Sequence, residues 1–300
     1  MNTHSIIEKA IIADMATAIG IPTIGIAAWP LPSIAKEHLH TDYPCPFTAG
    51  TVDERLTGLT KLNEVNAAIV CLFPYYVPHT GCTNLARYTW AKDYHLIVPH
   101  YLTKLGEALE QSYPYCEYEI HCDTSPLADR YMAYLAGLGF YGLNKTFIHP
   151  TWGSYTVIGT VLTNLKIAAD EPLQTTCMGC KRCLTNCPGQ ALQEEDFLYH
   201  RCKSYITQQK GDLSEEEITI LRKSPLIFGC DICQEVCPHN LNIPTTPIPE
   251  FQNIMPHLDT SELAELTNRE FKARYGDRSF SWRGKKILIR NHEIVNPSET

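Results

Sequence analysis

The chain has 300 residues, 44% of them apolar, and a net charge of -8. That is enough apolar material for one large or two moderate domains, and the balance is too acidic for a general nucleic-acid binder. Thirteen cysteines, with Glu8, Lys9 and Asp14 interrupting any secretory leader, place the expected compartment in the reducing cytoplasm.

In chain order, Ile6 to Ala18 has helical apolar spacing. The uncharged stretch from Met15 to Ala35 is long enough for a membrane span, but Gly20, Pro22, Gly25, Pro30 and Pro32 break it, so Ile21 to Trp29 reads as a strand followed by a turn. Ala67 to Phe73 is a short apolar run ended by Pro74, Val98 to Gln111 is helical, and Thr156 to Leu162 is β-branched and strand-like. This alternation indicates an α/β layout for the first 165 residues. Gly137-Leu138-Gly139-Phe140-Tyr141-Gly142 matches the dinucleotide fingerprint by letter. A true fingerprint follows a strand and opens a helix. Here Leu127, Tyr131, Leu135 and Leu138 precede it at helical spacing, with Ser125 placed to cap and Pro126 in the first turn, so the glycines are expected to end a helix.

From about residue 170 the text becomes rich in cysteine. Cys177-x-x-Cys180-x-x-Cys183-x-x-x-Cys187-Pro188 has the bacterial ferredoxin spacing, and Cys230-x-x-Cys233-x-x-x-Cys237-Pro238 repeats it without the first cysteine, which Cys202 can supply. In this pattern the cysteine before proline ligates the other cluster. Two 4Fe-4S clusters therefore follow, one on Cys177, Cys180, Cys183 and Cys237, the other on Cys187, Cys202, Cys230 and Cys233. Structural zinc is the alternative, since C-x-x-C pairs also bind it, but zinc does not require the paired Cys-Pro endings. Cys45, Cys71, Cys82, Cys116 and Cys122 lie outside the pattern, and His95, His121 and His149 have no histidine partner at ligating spacing. Trp90 and the tyrosines around it suit either a core or a flat ligand.

Pro244, Pro247 and Pro249 mark a linker before a helical last segment. Between Arg269 and Arg290, Arg269, Lys272, Arg274, Arg278, Arg283, Lys285, Lys286 and Arg290 face only Glu270 and Asp277, an excess of +6 that leaves -14 on the remainder. Such a segment suits a solvated helix face or the phosphates of an RNA.

Three blocks together resemble the epoxyqueuosine reductases, cobalamin-dependent iron-sulfur enzymes of tRNA modification. They are Ala86-Arg87-Tyr88-Thr89-Trp90-Ala91-Lys92-Asp93-Tyr94-His95; Asp123-Thr124-Ser125-Pro126 through Ala136-Gly137-Leu138-Gly139; and Arg201-Cys202-Lys203-Ser204-Tyr205 with Phe228-Gly229-Cys230-Asp231-Ile232-Cys233-Gln234. The resemblance implies an α+β chain: a corrinoid-binding α/β domain like that of reductive dehalogenases over 1–168, a two-cluster ferredoxin-like domain over 169–245 and a C-terminal extension over 246–300. It implies that cobalamin is held without a protein axial ligand, that Asp123 is the proton donor at the cobalt face, and that Arg55, Tyr88, Gly153, Ser154, Ser204 and Asp231 line the corrinoid with it. To donate near neutral pH, Asp123 needs a raised pKa, from burial or a neighbouring carboxylate. The resemblance further implies an external electron donor such as a flavodoxin or ferredoxin, and no membrane.

The sequence departs from the family pattern in two places, with Leu143 where lysine is usual and Ser125 where glycine is usual. Full-length members continue into helical repeats that help grip tRNA, whereas this sequence ends at Thr300, so the segment Arg269 to Arg290 is the candidate tRNA contact. Two other readings stay open: a corrinoid reductase of a small substrate, as in reductive dehalogenation, and an electron carrier that reactivates a corrinoid protein.

Overall fold

In the computed structural model, which describes residues 6–39 and 44–297, strand β2 (Ala67–Pro74) is buried along all eight residues. A strand reaches that state only when both faces of its sheet are covered. Its neighbours are β1 (Thr23–Ala28), β6 (Thr156–Thr163) and, beyond β6, β3 (Tyr118–His121), in the order β1-β2-β6-β3. Every pairing is antiparallel, with Gly25 opposite Val70 and Val70 opposite Thr160. The helix and strand alternation is therefore built on an antiparallel sheet, and the chain as a whole is α+β.

One face packs Ala27, Ala68, Val70, Leu72 and Leu162 on Tyr131, Met132 and Ala136 of the segment carrying helix α5 (Asp129–Leu135). On the other, Val98 and Leu102 of the long helix α4 (Tyr94–Ser112) press on Gly159 of β6, and Phe73 meets the Tyr101 ring at 5.7 Å. Helix α1 (Lys9–Ile19) runs into β1 through Gly20, in the left-handed region at φ 96°. Gly25 is required by contact: a Cβ there would stand 2.3 Å from the Ala136 carbonyl oxygen. Helix α5 starts at Asp129 with no side-chain cap, so Ser125 does not cap it. The glycine cluster ends the helix as its spacing predicts, with Gly137 at φ 64° and a short strand β4 (Phe140–Tyr141) after it, paired with β5 (Phe147–Ile148). Helices α2 (Ala35–Leu39) and α3 (Val52–Thr57) complete this unit, α3 starting at a reciprocal Thr51/Glu54 cap.

By packing, the chain forms two units: residues up to 74, 95–142 and 146–178 in the first, and 75–94, 143–145 and 179 onward in the second. The second holds short helices α6 (Arg182–Asn186), α7 (Lys203–Ile206), α8 (Glu215–Leu221) and α9 (Ile232–Glu235), then α10 (Asn268–Tyr275) and α11 (Lys285–Val295). Its core joins Leu85 and Trp90 to Ile227 and Phe228 and to Leu258, Leu263, Phe271, Phe280 and Leu288. The residues after 245 thus supply a large part of the core around the cysteine-rich segment. Asn84 clamps Leu258 by two backbone hydrogen bonds of 2.8 Å, and buried Asn291 donates to the Thr207 and Ile227 carbonyls at 2.8 Å each. Trp90 is a core residue, with its indole N–H on the Leu85 carbonyl at 2.8 Å. Among the described residues no helix is long and apolar enough to cross a membrane.

Candidate active site

In the first unit, β3 ends at buried His121 and the chain turns through Asp123, held at φ 60° while the Thr124 N–H donates to the Cys122 carbonyl at 2.7 Å. Aspartate is one of the few residues that tolerates this left-handed backbone. The turn projects the carboxylate outward: its side chain is 58% exposed, with His95 Nε2 3.4 Å from Oδ2. Burial of Asp123, one of the two ways expected to raise its pKa, is thus not what the fold supplies. The neighbouring carboxyl is that of Asp129, and the shift it records is its own, raised in part by the Asp123 charge.

Asp129 stands in the first turn of α5 and its Oδ1 is buried without a hydrogen-bond partner. Burial, then the Asp123 charge, pushes its pKa up to about 7 against the opposing pull of Arg130 and Arg55. Burial, followed by neighbouring Arg130, lowers the pKa of Arg55, on α3, while Asp129 and Tyr141 act in the opposite direction. Tyr141, on β4, is raised by burial and feels both arginines. Arg55 and Asp123 therefore belong to one electrostatic group with Asp129, Arg130 and Tyr141. Spacing could not reveal the last three, which reach it from a helix start and a two-residue strand; the Asp129-Arg130 pair directly after the Asp123 block was the available signal.

Gly153 and Ser154 lie on a turn closed by reciprocal 2.9 Å hydrogen bonds between the His149 and Gly153 backbones, with Gly153 at φ 60° and Ser154 buried. His149 Nδ1 accepts the Thr151 and Trp152 N–H groups at 3.1 Å, and burial lowers its pKa to about 4. It is a neutral structural residue. His121 is also lowered by burial, partly offset by Glu119, 3.3 Å away.

In the second unit, Asp231 is buried and accepts a short hydrogen bond from the Arg87 N–H and one of 3.2 Å from Gln234 Nε2. Burial pushes its pKa up to about 7. Next to Arg87, Tyr88 lies against Gly229, where a Cβ would come within 2.9 Å of the ring at a backbone φ of 70°. Glycine is thus needed immediately before Cys230. Ser204, in α7, offers its carbonyl to Thr207 Oγ1 and Gln208 Nε2, each at 2.9 Å.

None of the thirteen cysteines is joined in a disulfide. Cys233 is charge-coupled to Cys230, Cys202 and Cys187, which brings four thiols from three separate segments into mutual range. Burial drives Cys230 up to about 12, and burial, followed by the neighbouring thiols, raises Cys233. Thiols gathered this way resist ionisation unless a cationic core binds them, which is the donor chemistry of an iron-sulfur cluster. The surrounding amides already point inward: Ala191 N–H donates to Cys187 Sγ at 3.3 Å and Ile232 N–H to Cys230. Among the described residues no three His, Cys, Asp or Glu converge as a single ion requires. Burial also raises Cys71, in the middle of β2, as for a packing residue.

The basic segment is largely committed to the fold. Lys285 donates to the Leu263 and Ala264 carbonyls at 2.9 and 3.2 Å, Arg278 to the Trp90 carbonyl at 2.7 Å and Arg290 to that of Gly211 at 2.5 Å, while Arg274 pairs with Glu262 at 2.5 Å. The Arg283 guanidinium sits 3.7 Å from the Trp282 ring centroid. Arg269, Lys272 and Lys286 are exposed.

Comparison with known proteins bears on both units. Residues 55–124 match the family "Epoxyqueuosine reductase QueG, DUF1730", and residues 176–240 match the "4Fe-4S double cluster binding domain". An epoxyqueuosine reductase of Bacillus cereus is 38% identical over 95% of this chain and 78% of its own length. The structure of epoxyqueuosine reductase from Streptococcus thermophilus superposes with a TM-score of 0.82 at 30% identity, over 96% of this chain and 80% of that one. Another epoxyqueuosine reductase, solved with an epoxyqueuosine-modified tRNA-Tyr stem loop, gives 0.87 at 29% identity over the same shares.

Proposed function

Because this chain belongs to the epoxyqueuosine reductase family, we propose that it reduces epoxyqueuosine to queuosine in tRNA, with Asp123 delivering a proton to the departing epoxide oxygen. It is an oxidoreductase whose cofactors are two 4Fe-4S clusters and cobalamin. When bound, the clusters supply electrons singly and cobalamin a metal centre able to bond carbon. The observation that carries the reading is the outward-facing Asp123 carboxylate on its left-handed turn, with His95 3.4 Å from it and Asp129 coupled behind it. Removing an epoxide oxygen consumes two electrons and two protons and releases water. Asp123 is exposed enough to meet a bulky substrate and is oriented by His95, which is also placed to pass it a fresh proton.

Cys177, Cys180, Cys183 and Cys237 would hold one cluster and Cys187, Cys202, Cys230 and Cys233 the other; the second set is supported by the coupling among its four thiols. Arg55, Tyr88, Gly153, Ser154, Ser204 and Asp231 would hold the corrinoid. Ser125 Oγ and Asp129 Oδ1, buried beside the Asp123 turn without partners, suit its fringe of amides. The electrons would come from an external flavodoxin or ferredoxin, in the cytoplasm where the thiols stay reduced. The exposed members of the segment Arg269 to Arg290 would contact tRNA phosphates.

The test is Asp123→Asn. The variant is expected to carry both clusters and bind cobalamin but to lose turnover by about 10²–10⁴-fold, the usual worth of a positioned general acid. Full activity would remove Asp123 from the mechanism.

A further inference from the structure

Lys203 follows Cys202 directly and is 1% exposed. Its ammonium donates to the carbonyls of Leu221, by a short bond, and of Ser224, at 2.8 Å. Both acceptors lie at the C-terminal end of α8 and the turn after it, where helix carbonyls lack intrahelical donors. They satisfy hydrogen bonds but bring no net charge, and a buried ammonium is costly unless an anion compensates it. Burial disfavours the Lys203 charge, and the group that favours it is Cys230, itself coupled to Cys202, once that thiol is ionised as a cluster ligand. An apolar side chain would fill this space without the cost of burying a charge.

From this placement we propose that Lys203 sets the reduction potential of the cluster bound by Cys187, Cys202, Cys230 and Cys233, making that cluster easier to reduce than it would be without the buried cation. The inference rests on the two-cluster reading. A cubane with four thiolates is anionic, and reduction adds one more negative charge, so a fixed cation nearby stabilises the reduced form more than the oxidised one. The low dielectric that makes the ammonium expensive alone also strengthens its attraction to the cluster. The residue acts on the potential through charge and has no part in bond-making.

The test is an anaerobic, EPR-monitored redox titration of the reconstituted full chain and of Lys203→Met, with iron content measured on the same samples. Iron near eight per chain checks the two-cluster premise separately. In Lys203→Met one midpoint is expected to fall while the other stays. At fixed potential the ratio of reduced to oxidised cluster should drop about tenfold, a shift of about 59 mV for one electron. Lys203→Arg, which keeps the charge, should hold that midpoint near its original value. A role confined to capping α8 would lower thermal stability in Lys203→Met and leave both midpoints unchanged, which overturns the proposal, as does an equal shift in Met and Arg variants. If Lys203→Met loses iron, Lys203→Gln decides: the lowered midpoint is expected, and an unshifted one overturns the inference.

Discussion

Replacing Asp129 by asparagine tests the electrostatics behind the candidate acid without touching it. In the folded chain the Asp129 pKa is raised from 3.8 to about 7, so the folded state keeps a proton that the unfolded chain has released. Stability therefore falls as pH rises, starting above about pH 4 and ending above about pH 7. At 1.36 kcal/mol per unit the full shift corresponds to about 4 kcal/mol, and to roughly half of that once the residue's partial contact with solvent is allowed for. Between pH 5.5 and 8.5 the part remaining is about 1–2 kcal/mol. Asparagine cannot ionise, so the variant lacks this dependence, whatever its stability at low pH. Urea denaturation of both proteins at the two pH values, anaerobically, gives the comparison. The variant should gain on the wild type by about 1–2 kcal/mol from pH 5.5 to 8.5. A gap that stays constant would show that Asp129 is ionised in the folded protein and would remove the coupled carboxyl from the site.

Cys202→Ala should leave iron at roughly half of the two-cluster content after reconstitution, with one cluster still visible by EPR; undiminished iron would show that Cys202 is not a ligand. Replacing Arg269, Lys272 and Lys286 together by glutamine should weaken tRNA binding and flatten its salt dependence by roughly 0.9 for each duplex phosphate no longer neutralised, whereas Lys285→Gln should mainly lower thermal stability, because its ammonium caps carbonyls of the chain. Gly25→Ala should cost about 1–3 kcal/mol in urea denaturation, because the added Cβ has no room beside the Ala136 carbonyl; a variant as stable as the wild type would show that α5 can shift away from β1.

That residues 176–240 form a double 4Fe-4S cluster domain was legible in the sequence because ferredoxin spacing is local: Cys177, Cys180 and Cys183, like Cys230 and Cys233, sit at spacings that one tight turn after another imposes. The strands around Ala67 and Thr156 and the helix-ending role of Gly137 were legible for the same reason, being set by a few adjacent residues. The antiparallel pairing of those strands was not, since it depends on which distant segment each one meets. Nor could spacing show that the residues after 245 complete the core around Phe228, or that Lys285, Arg278 and Arg290 spend their donors on backbone carbonyls instead of a partner's phosphates. Asp123 was marked by its block, but His95 at 3.4 Å and Asp129 behind it were brought there by folding. Residue type and short spacing determine what a side chain can bind or donate; burial and neighbouring charge, which shift Asp129 and Lys203, arise only when segments far apart in the chain pack together.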